Sequence, residues 1–312
     1  MSRESEHLRN LITGMRDAFQ RGDNAMAFAR AQFSDEASSA LYAGNLLAAT
    51  LIAYDLQAGS YTAAARAHPK AKAQWCEQIG ALIALVLPDG GSVLEVGVGE
   101  ATTLAGVITG LGSRLSAAYG FDVSWSRIAE GRRWLAEARQ DADLFVADLF
   151  HIPLADDSID VVYSSHSLEP NRGRECEAIA ECLRVARTAV VLVEPLYELA
   201  SPEAQARMDS HGYVRGLREA AITLGATVIA ERLLKQCANP LNPSGVLLLH
   251  KGDAVERADT VDLWKCPVTG APLIRDADLF FAPDVGIAYP VLRGIPMLRP
   301  EHAIVASSIG RD

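Results

Sequence analysis

Residues 93–103 read Val-Leu-Glu-Val-Gly-Val-Gly-Glu-Ala-Thr-Thr, and this stretch decides the fold. Its apolar start predicts the end of a buried strand. Gly97 and Gly99 permit a tight turn in which backbone can approach a ligand without a Cβ in the way. A helix is expected from Thr102 onward, so a ligand would lie over a helix N-terminus at the carboxyl end of a strand. The stretch therefore predicts a nucleotide-type site.

The residues around the turn indicate which nucleotide is bound. A dinucleotide fingerprint has a third Gly that lets the helix pack closely on the strand, and this chain has Thr102 there. Glu95 precedes the first Gly by two residues, where a carboxylate repels a pyrophosphate but suits an ammonium group. S-adenosylmethionine has an amino-acid tail, a sulfonium and no phosphate. The turn resembles the acidic-x-Gly-x-Gly motif of class I S-adenosylmethionine-dependent methyltransferases, with a dehydrogenase as the alternative.

A second motif follows the strand predicted at 117–121. Asp122 ends that strand about 20 residues beyond the glycines, where α/β nucleotide folds place the acid that holds the ribose hydroxyls. A carboxylate offers both oxygens to a diol. The resemblance implies that Asp122 and the adjoining Val123 bind the cofactor.

A third motif begins where the apolar residues 144–147 run into Asp148 and Leu149. With the Pro-Leu pair at 153–154, it resembles the methyltransferase stretch in which an Asp takes the adenine amino group. The resemblance adds Asp148, Leu149 and Ser164, at the end of the fourth strand, to the cofactor site. The alternative for Asp148 is a turn or cap residue. Three motifs in family order favour the methyltransferase.

Residues 89–252 alternate strand and helix, which predicts an α/β, Rossmann-like sheet with helices on both faces. A short connection at 237–245 leaves no room for a helical crossover, so the final strand is expected to be antiparallel to its neighbour. An NAD-binding sheet is ordinarily all parallel, which is a second argument against a dehydrogenase. Cys176 falls on a helical stripe with Ile179 and Leu183 and is expected in the core. The seven strands are expected near 92–96, 117–121, 143–147, 159–164, 188–193, 226–232 and 245–250.

Residues 1–88 are predicted to form a helical cap. Ser34-Asp35-Glu36 resembles a helix start, the Ala-rich stretch 37–56 continues as helix, and Pro69 opens a helix that ends near Leu87. In the resembled family such helices pack over the cofactor cleft, which implies that Tyr61 covers S-adenosylmethionine. The alternative is a surface tyrosine. An amphipathic first helix is indicated by the apolar stripe of Leu8, Leu11, Ile12, Met15 and Phe19.

Residues 253–312 are expected to form a third, small domain. The stretches 264–273 and 288–298 resemble the small zinc-ribbon family that includes the activating subunit of tRNA and translation-factor methyltransferases. In that family pattern the first Cys, which corresponds to Cys266, is followed three residues later by a second Cys, and this chain has Thr269 there. Residues 282–285 stand where the pattern has its second Cys pair. A structural zinc site needs four ligands, so we predict a ribbon without metal. Its expected core consists of Leu279, Phe280, Ile287, Tyr289 and Ile295.

Composition limits the partners and the compartment. Hydrophobic residues make up 49% of the 312, and the formal net charge is −10, so no basic face is indicated and a nucleic-acid partner is not expected. No membrane span and no secretory signal are predicted. The five cysteines form no close pair at ligand spacing, which favours reduced thiols and a cytoplasmic location. The oligomeric state stays open, with a homodimer as one option.

The predicted fourth strand runs into Ser-Ser-His-Ser-Leu-Glu-Pro-Asn at 164–171, at the cleft edge where substrate meets cofactor. Methyl transfer depends mainly on positioning, and a base is needed only when the acceptor arrives protonated. His166 is the candidate base because its ordinary pKa suits neutral pH, and the alternative is a strand-end cap or cofactor contact. Glu169 is the second catalytic candidate. Substrate-binding candidates, each with a structural alternative, are Asn171, Glu194, His211 and Tyr213.

The chain lacks an Asn/Asp-Pro-Pro-Tyr/Phe motif after the fourth strand. Methylases of adenine N6 and glutamine amides carry that motif, so amide-type nitrogen is disfavoured. The sequence favours an oxygen or amine nitrogen on a small-molecule or sugar acceptor. A methyltransferase acting on tRNA or a translation factor is one alternative. A catalytically silent binding or assembly protein is the other.

Overall fold

The computed structural model describes residues 3–32, 39–237, 239–252 and 262–309. Within these ranges, five helices precede the sheet: α1 (Arg3–Gln20), α2 (Ala25–Gln32), α3 (Ser39–Leu56), α4 (Ser60–Ala67) and α5 (Pro69–Ala84). Leu11 and Met15 of α1 are buried as expected, but Phe19 is 41% exposed. The predicted apolar stripe was wrong at the C-terminal end of α1, because Ala18, and not Phe19, faces the packed side of the helix. The Ser34-Asp35-Glu36 helix start lies outside the described residues.

The central sheet contains seven strands, as the alternation predicted. They are β1 (Gly91–Val96), β2 (Leu115–Asp122), β3 (Asp143–Val146), β4 (Ile159–Ser165), β5 (Ala186–Pro195), β6 (Thr227–Leu233) and β7 (Ser244–His250). Their order is β3-β2-β1-β4-β5-β7-β6, and β7 is antiparallel to both of its neighbours. The expected reversed final strand is confirmed. Because the order reverses between β1 and β4, their carboxyl ends open a crevice in which ligands bind in such sheets.

Helices cover both faces of this sheet and are α6 (Thr102–Leu111), α7 (Trp125–Glu137), α8 (Glu175–Val185), α9 (Pro202–His211) and α10 (Leu217–Thr223). Strands β1, β4, β5 and β7 are buried along almost their whole length, because both of their faces are covered. One face packs on α5, α6 and α7, and the other on α8 and α10. Cys176 is exposed, contrary to expectation, because it lies in the first turn of α8. Ile179 and Cys182 make the buried contacts further along that helix.

A separate small antiparallel sheet follows, with strands β8 (Ile274–Arg275), β9 (Leu279–Ala282), β10 (Ile287–Leu292), β11 (Ile295–Pro296) and β12 (Ile304–Val305). Phe280, Tyr289 and Ile295 are buried, whereas Leu279 and Ile287 are half-buried. The Cys266 sulfur is buried and lies 3.3 Å from the Tyr289 hydroxyl. Within the described ranges, no three His, Cys, Asp or Glu side chains are grouped to hold a metal ion.

The C-terminal segment is joined to the edge of the central sheet. Met297 pairs in parallel with Val146 at the end of β3, and the Leu298 N–H donates to the Val146 carbonyl at 2.8 Å. The Trp125 indole donates to the Leu292 carbonyl at 3.2 Å. These contacts place the residues after β11 at the carboxyl edge of the sheet. Across the described part of the chain, no helix has the length and apolar character needed to cross a membrane.

Candidate cofactor and acceptor site

The glycine turn lies at the carboxyl end of β1, beside the end of β4. Gly97 and Gly99 have φ angles of 63° and 54°, which L side chains rarely adopt. A Cβ on Gly97 would lie 2.3 Å from the Ser167 Cβ, and a Cβ on Gly99 would lie 3.2 Å from the Tyr61 ring. Both positions therefore require glycine, and the loop after β4 lies directly against the turn.

Asp122 is held at the end of β2 by the backbone of two neighbouring loops. Its Oδ2 accepts the Gly99 N–H at 3.1 Å and its Oδ1 accepts the Ser124 N–H at 2.9 Å. Burial raises the pKa of Asp122, and the N–H groups and the nearby Arg127 oppose that rise. Each carboxylate oxygen keeps a second lone pair, so the predicted role with a ribose diol is compatible with this geometry.

Tyr61 lies against the glycine turn, beside Gly99. Its ring is 49% exposed and packs against the buried Arg127, whose guanidinium carbon is 4.3 Å from the ring centroid. Glu100, a turn residue that is fully buried, accepts the N–H groups of Gly59 at 2.9 Å and Thr62 at 2.7 Å. These bonds satisfy the free N-terminal N–H groups of α4 and fix the helix that carries Tyr61.

Glu95 is the buried acid beneath the turn. The Tyr163 hydroxyl donates to its Oε2 at 2.9 Å, and burial raises its pKa to about 8 despite this bond. Lys72, on α5, is the nearby cation, and its ammonium donates to the Thr103 hydroxyl in the first turn of α6 at 2.7 Å. Burial lowers the pKa of Lys72. Sequence reasoning missed Lys72 because only the packing of α5 on α6 brings it to this end of the turn.

The predicted adenine-side residues lie along the ends of β2 and β3. Asp148 is half-buried, and its Oδ1 accepts the Phe150 N–H at 2.9 Å, as an Asp at a turn does. Leu149 is buried beside it. Val123 is half-buried and lines a cavity of about 290 Å³ between the N-terminal helices and the loop after β2.

His166 lies just beyond β4 with a φ of 56°, an unusual value for a residue with a side chain. Its Nδ1 is 3.3 Å from the Glu169 Oε2, and its Nε2 is 2.7 Å from the Ser244 hydroxyl at the start of β7. Burial alone would lower the pKa of His166, but the hydrogen bond with Glu169 and the charge of Glu194 raise it above its usual value. The structure thus brings the two predicted catalytic residues together.

Three further residues of this region were missed from the sequence. Ser244 is buried against His166, the Asn242 amide donates to Glu169 at 3.4 Å, and the Trp75 ring centroid lies 5.8 Å from that of His166. Asn242 lies just before β7 and Ser244 is its first residue, and from the sequence this stretch indicated only the direction of the strand. Their approach to His166 depends on β7 pairing beside β5, which local sequence patterns do not encode.

The remaining predicted residues occupy different places. Glu194 is fully buried at the end of β5, burial raises its pKa to about 7, and its Oε1 accepts the N–H groups of Ser167 and Leu168. The Asn171 amide donates to the carbonyls of the same loop, at residues 167 and 168. Ser164 is fully buried. Asn171 and Glu194 therefore shape the loop that presents His166.

His211 lies at the end of α9, exposed, with its Nδ1 2.8 Å from the Arg207 carbonyl. The half-buried Tyr213 contacts the His211 ring at 5.5 Å between centroids. Tyr213 is nearer to the site, because the next residue, Val214, donates its N–H to the Glu169 carbonyl at 3.0 Å. The structure therefore joins Tyr213 to the Glu169 loop, whereas the contacts of His211 are with α9 and Tyr213.

Residues 93–189 match the family model described as a methyltransferase domain. The matched range runs from the glycine turn into β5 and includes Glu95, Asp122, Asp148 and His166. It defines the class: the protein is an S-adenosylmethionine-dependent methyltransferase, and S-adenosylmethionine is its cofactor. The dehydrogenase alternative is thereby excluded.

Solved structures with a similar fold are distant in sequence. Magnesium protoporphyrin IX methyltransferase of Synechocystis, with bound S-adenosylhomocysteine, is 14% identical, with 58% of this chain and 83% of that chain covered and a TM-score of 0.47. A chain from the Haloferax volcanii complex of the Trm112 methyltransferase activator with a methyltransferase is 16% identical, with 63% and 97% covered and a TM-score of 0.48. A S-adenosylmethionine-dependent methyltransferase of Aquifex aeolicus is 14% identical, with 55% and 87% covered and a TM-score of 0.42. No curated protein matches the chain.

Proposed function

We propose that the protein transfers the methyl group to an oxygen or amine nitrogen of a small-molecule or sugar acceptor, with His166 as general base. The observation that carries this proposal is the alignment of Glu169, His166 and Ser244. With its Nδ1 proton directed to Glu169, the His166 ring presents the Nε2 lone pair to a hydroxyl group, which in this structure is that of Ser244. An acceptor hydroxyl or amine takes the place of Ser244 at that lone pair.

The residues around the turn fit the cofactor. Gly97 and Gly99 form the tight turn that leads into α6, and Asp122 has lone pairs for a diol. Glu95 suits the ammonium group of the amino-acid tail, because a positive charge beside it would favour the ionised form of its carboxyl. Lys72 suits the carboxylate of that tail. Tyr61 lies above the turn. When bound, S-adenosylmethionine supplies a methyl carbon whose bond to sulfur breaks with the electron pair remaining on sulfur.

His166 Nε2 then takes the proton that the acceptor loses as its lone pair bonds to the methyl carbon. Glu169 stabilises the resulting imidazolium through Nδ1, and Asn242 holds Glu169 in place. The Trp75 indole donates to the Ser165 hydroxyl at 3.3 Å and holds its ring beside the imidazole. These contacts position the base and limit water on that side of the cleft.

The polar groups around His166 favour an acceptor that donates hydrogen bonds. Glu169 is a carboxylate acceptor, and the buried Glu194 Oε2 and Asn242 Oδ1 have no hydrogen-bond partner among the residues described. Hydroxyl and ammonium groups satisfy such atoms, whereas phosphates are repelled by them. The cluster therefore supports a polyhydroxy or amine acceptor over tRNA. We also propose a cytoplasmic location, which the five free cysteines support. The proposed domain boundaries near residues 88 and 252 are supported by the order of the helices and strands.

The test is methyl transfer from labelled S-adenosylmethionine to a panel of sugars, nucleotide sugars, phenols, amines and total tRNA. The proposal expects transfer to a hydroxyl or amine compound, with a loss of about 100-fold in kcat for His166→Gln and unchanged binding of S-adenosylhomocysteine. Cys176→Ser, at an exposed site on α8, is the control and retains full activity. Transfer to tRNA alone would overturn the acceptor class. Tight S-adenosylhomocysteine binding with no transfer to any compound would favour the silent binding protein.

A further inference from the structure

We infer that the C-terminal segment completes the cofactor site, with Arg299 donating a hydrogen bond to a ring nitrogen of the adenine base. The inference rests on the proposed cofactor site and extends it to a residue outside the methyltransferase domain match. It assigns a binding role to a segment that otherwise has only a structural one. Three observations on the described residues carry it.

The first observation is the register at the edge of the sheet. Met297 is the parallel partner of Val146, and the Leu298 N–H bonds to the Val146 carbonyl. Two residues beyond this pair along each segment are Asp148 and Arg299. Both segments run in the same direction from this pair, so the register directs both residues toward the carboxyl edge of the sheet, where the adenine end of the cofactor is expected.

The second observation is the cavity of about 290 Å³ beside Val123. Arg299 lines it together with Ser124 and Trp125, which directly follow the proposed cofactor residues Asp122 and Val123. The apolar part of its wall comes from α1 and α3, and the exposed Arg16 and Asp55 lie among the same lining residues. An apolar slot with a few polar groups suits a flat, weakly polar ring. The apolar wall residues are Ile12, Leu51, Ile52 and Leu56.

The third observation is the state of Arg299 itself. The residue is 7% exposed, its Nε has no hydrogen-bond partner among the residues described, and its outer nitrogen is 3.3 Å from the largely exposed Glu301. A buried donor without a partner is costly, so a ligand acceptor at this place is strongly favoured. Adenine offers ring-nitrogen acceptors beside its amino donor. Asp148 would take the amino group while Arg299 takes a ring nitrogen, so the pair is complementary to adenine.

The experiment is calorimetric titration of the full chain with S-adenosylhomocysteine. Arg299→Met removes the donor and keeps the length of the side chain, and we expect its affinity to fall at least tenfold. Arg275→Met is the matched control, because Arg275 lies in β8 of the same C-terminal segment, is half exposed and pairs with Asp143 at the opposite end of β3. The control should bind like the wild type. Arg299→Met binding like the wild type would overturn the inference, whereas absence of binding by the wild type would instead overturn the proposed cofactor site.

A second measurement keeps the inference testable if Arg299→Met does not fold. The 1-deaza, 3-deaza and 7-deaza forms of S-adenosylhomocysteine each lack one ring nitrogen. One of them should bind the wild type at least fivefold more weakly than the parent compound; where Arg299→Met does fold, it should show no further loss with that analogue. Equal binding of all three analogues to the wild type would overturn the inference without any variant.

Discussion

The Glu100 carboxylate accepts the backbone N–H of Thr62 at 2.7 Å, which joins the glycine turn directly to the helix that carries Tyr61. The second carboxylate oxygen accepts the Gly59 N–H, so one buried side chain satisfies two N–H groups at the start of α4. Serine or aspartate within the helix itself ordinarily supplies such a cap. Here the cap comes from 38 residues away in the chain, so α4 and the turn keep a fixed distance.

Glu100→Ala should lower the free energy of unfolding by about 3 kcal/mol, because it leaves two N–H groups at a buried helix end without an acceptor. Glu100→Gln keeps one acceptor oxygen and should lose about half as much. Urea unfolding measures both values. Glu137→Ala is the control, since its ion pair with Arg66 of α4 is exposed and contributes at most about 1 kcal/mol. Equal losses for Glu100→Ala and Glu137→Ala would contradict the role of Glu100.

Asp122→Ala should reduce the affinity for S-adenosylhomocysteine at least tenfold, because it removes the oxygens expected to hold the ribose diol and those that bond to the Gly99 N–H. Asp122→Asn retains one acceptor and should lose less. Calorimetry measures the affinity, with NAD as a comparison ligand that should not bind. Unchanged affinity in Asp122→Ala would remove Asp122 from the site.

The stability of the protein should fall as the pH rises from about 5 to 8. Burial raises the pKa of Glu95 from 4.5 to about 8, so between these values the folded chain keeps a proton that the unfolded chain has released. The free energy of unfolding therefore decreases as the pH rises through this window and stays constant above about pH 8. The pKa of Glu194, about 7, acts in the same direction.

Glu95→Gln should make this pH dependence shallower without abolishing it, because Glu194 remains. Urea midpoints at four pH values between 5.5 and 8.5 provide the measurement. Glu77→Gln, on the exposed side of α5, is the control and should keep the slope of the wild type. A slope in Glu95→Gln as steep as that of the wild type would show that Glu95 carries no such proton.

Methyl transfer should increase with pH through the pKa of His166, because only the neutral imidazole accepts a proton. The bond with Glu169 raises that pKa, so Glu169→Gln should move the rise of kcat/KM to lower pH and reduce the plateau about tenfold. The pH profile with an acceptor from the transfer screen measures both effects. Identical pH profiles for the wild type and Glu169→Gln would show that Glu169 does not act on the candidate base His166.

Local patterns were sufficient for most of the fold. The seven strands lie within a few residues of their expected places, because most are short apolar runs; Gly97 directly follows β1, and β2 and β5 end at Asp122 and Pro195. Gly97, Gly99 and Asp122 could also be placed from local sequence, because each lies in a turn at the end of a strand that a few neighbouring residues define. The errors at Phe19 and Cys176 arose at helix ends, where the packed face ends before the periodic pattern does.

Contacts between distant segments were not predictable in this way. Ser244 reaches His166 from 78 residues away, and Arg299 reaches the end of β3 only through the pairing of Met297 with Val146. Hydropathy patterns report which residues are buried, but not which strand lies next to which. The glycine turn could therefore be predicted from one stretch of sequence, whereas the surroundings of the candidate base required the three-dimensional structure.

The pairing of Met297 with Val146 also has a consequence for assembly. A strand edge that another polypeptide covers is normally exposed whenever the two chains separate on dilution. Here the covering segment belongs to the same chain, so its docking is an intramolecular event with an effective concentration set by the connection and not by the amount of protein. The edge at β3 should stay covered, and unavailable for aggregation, even in very dilute solution.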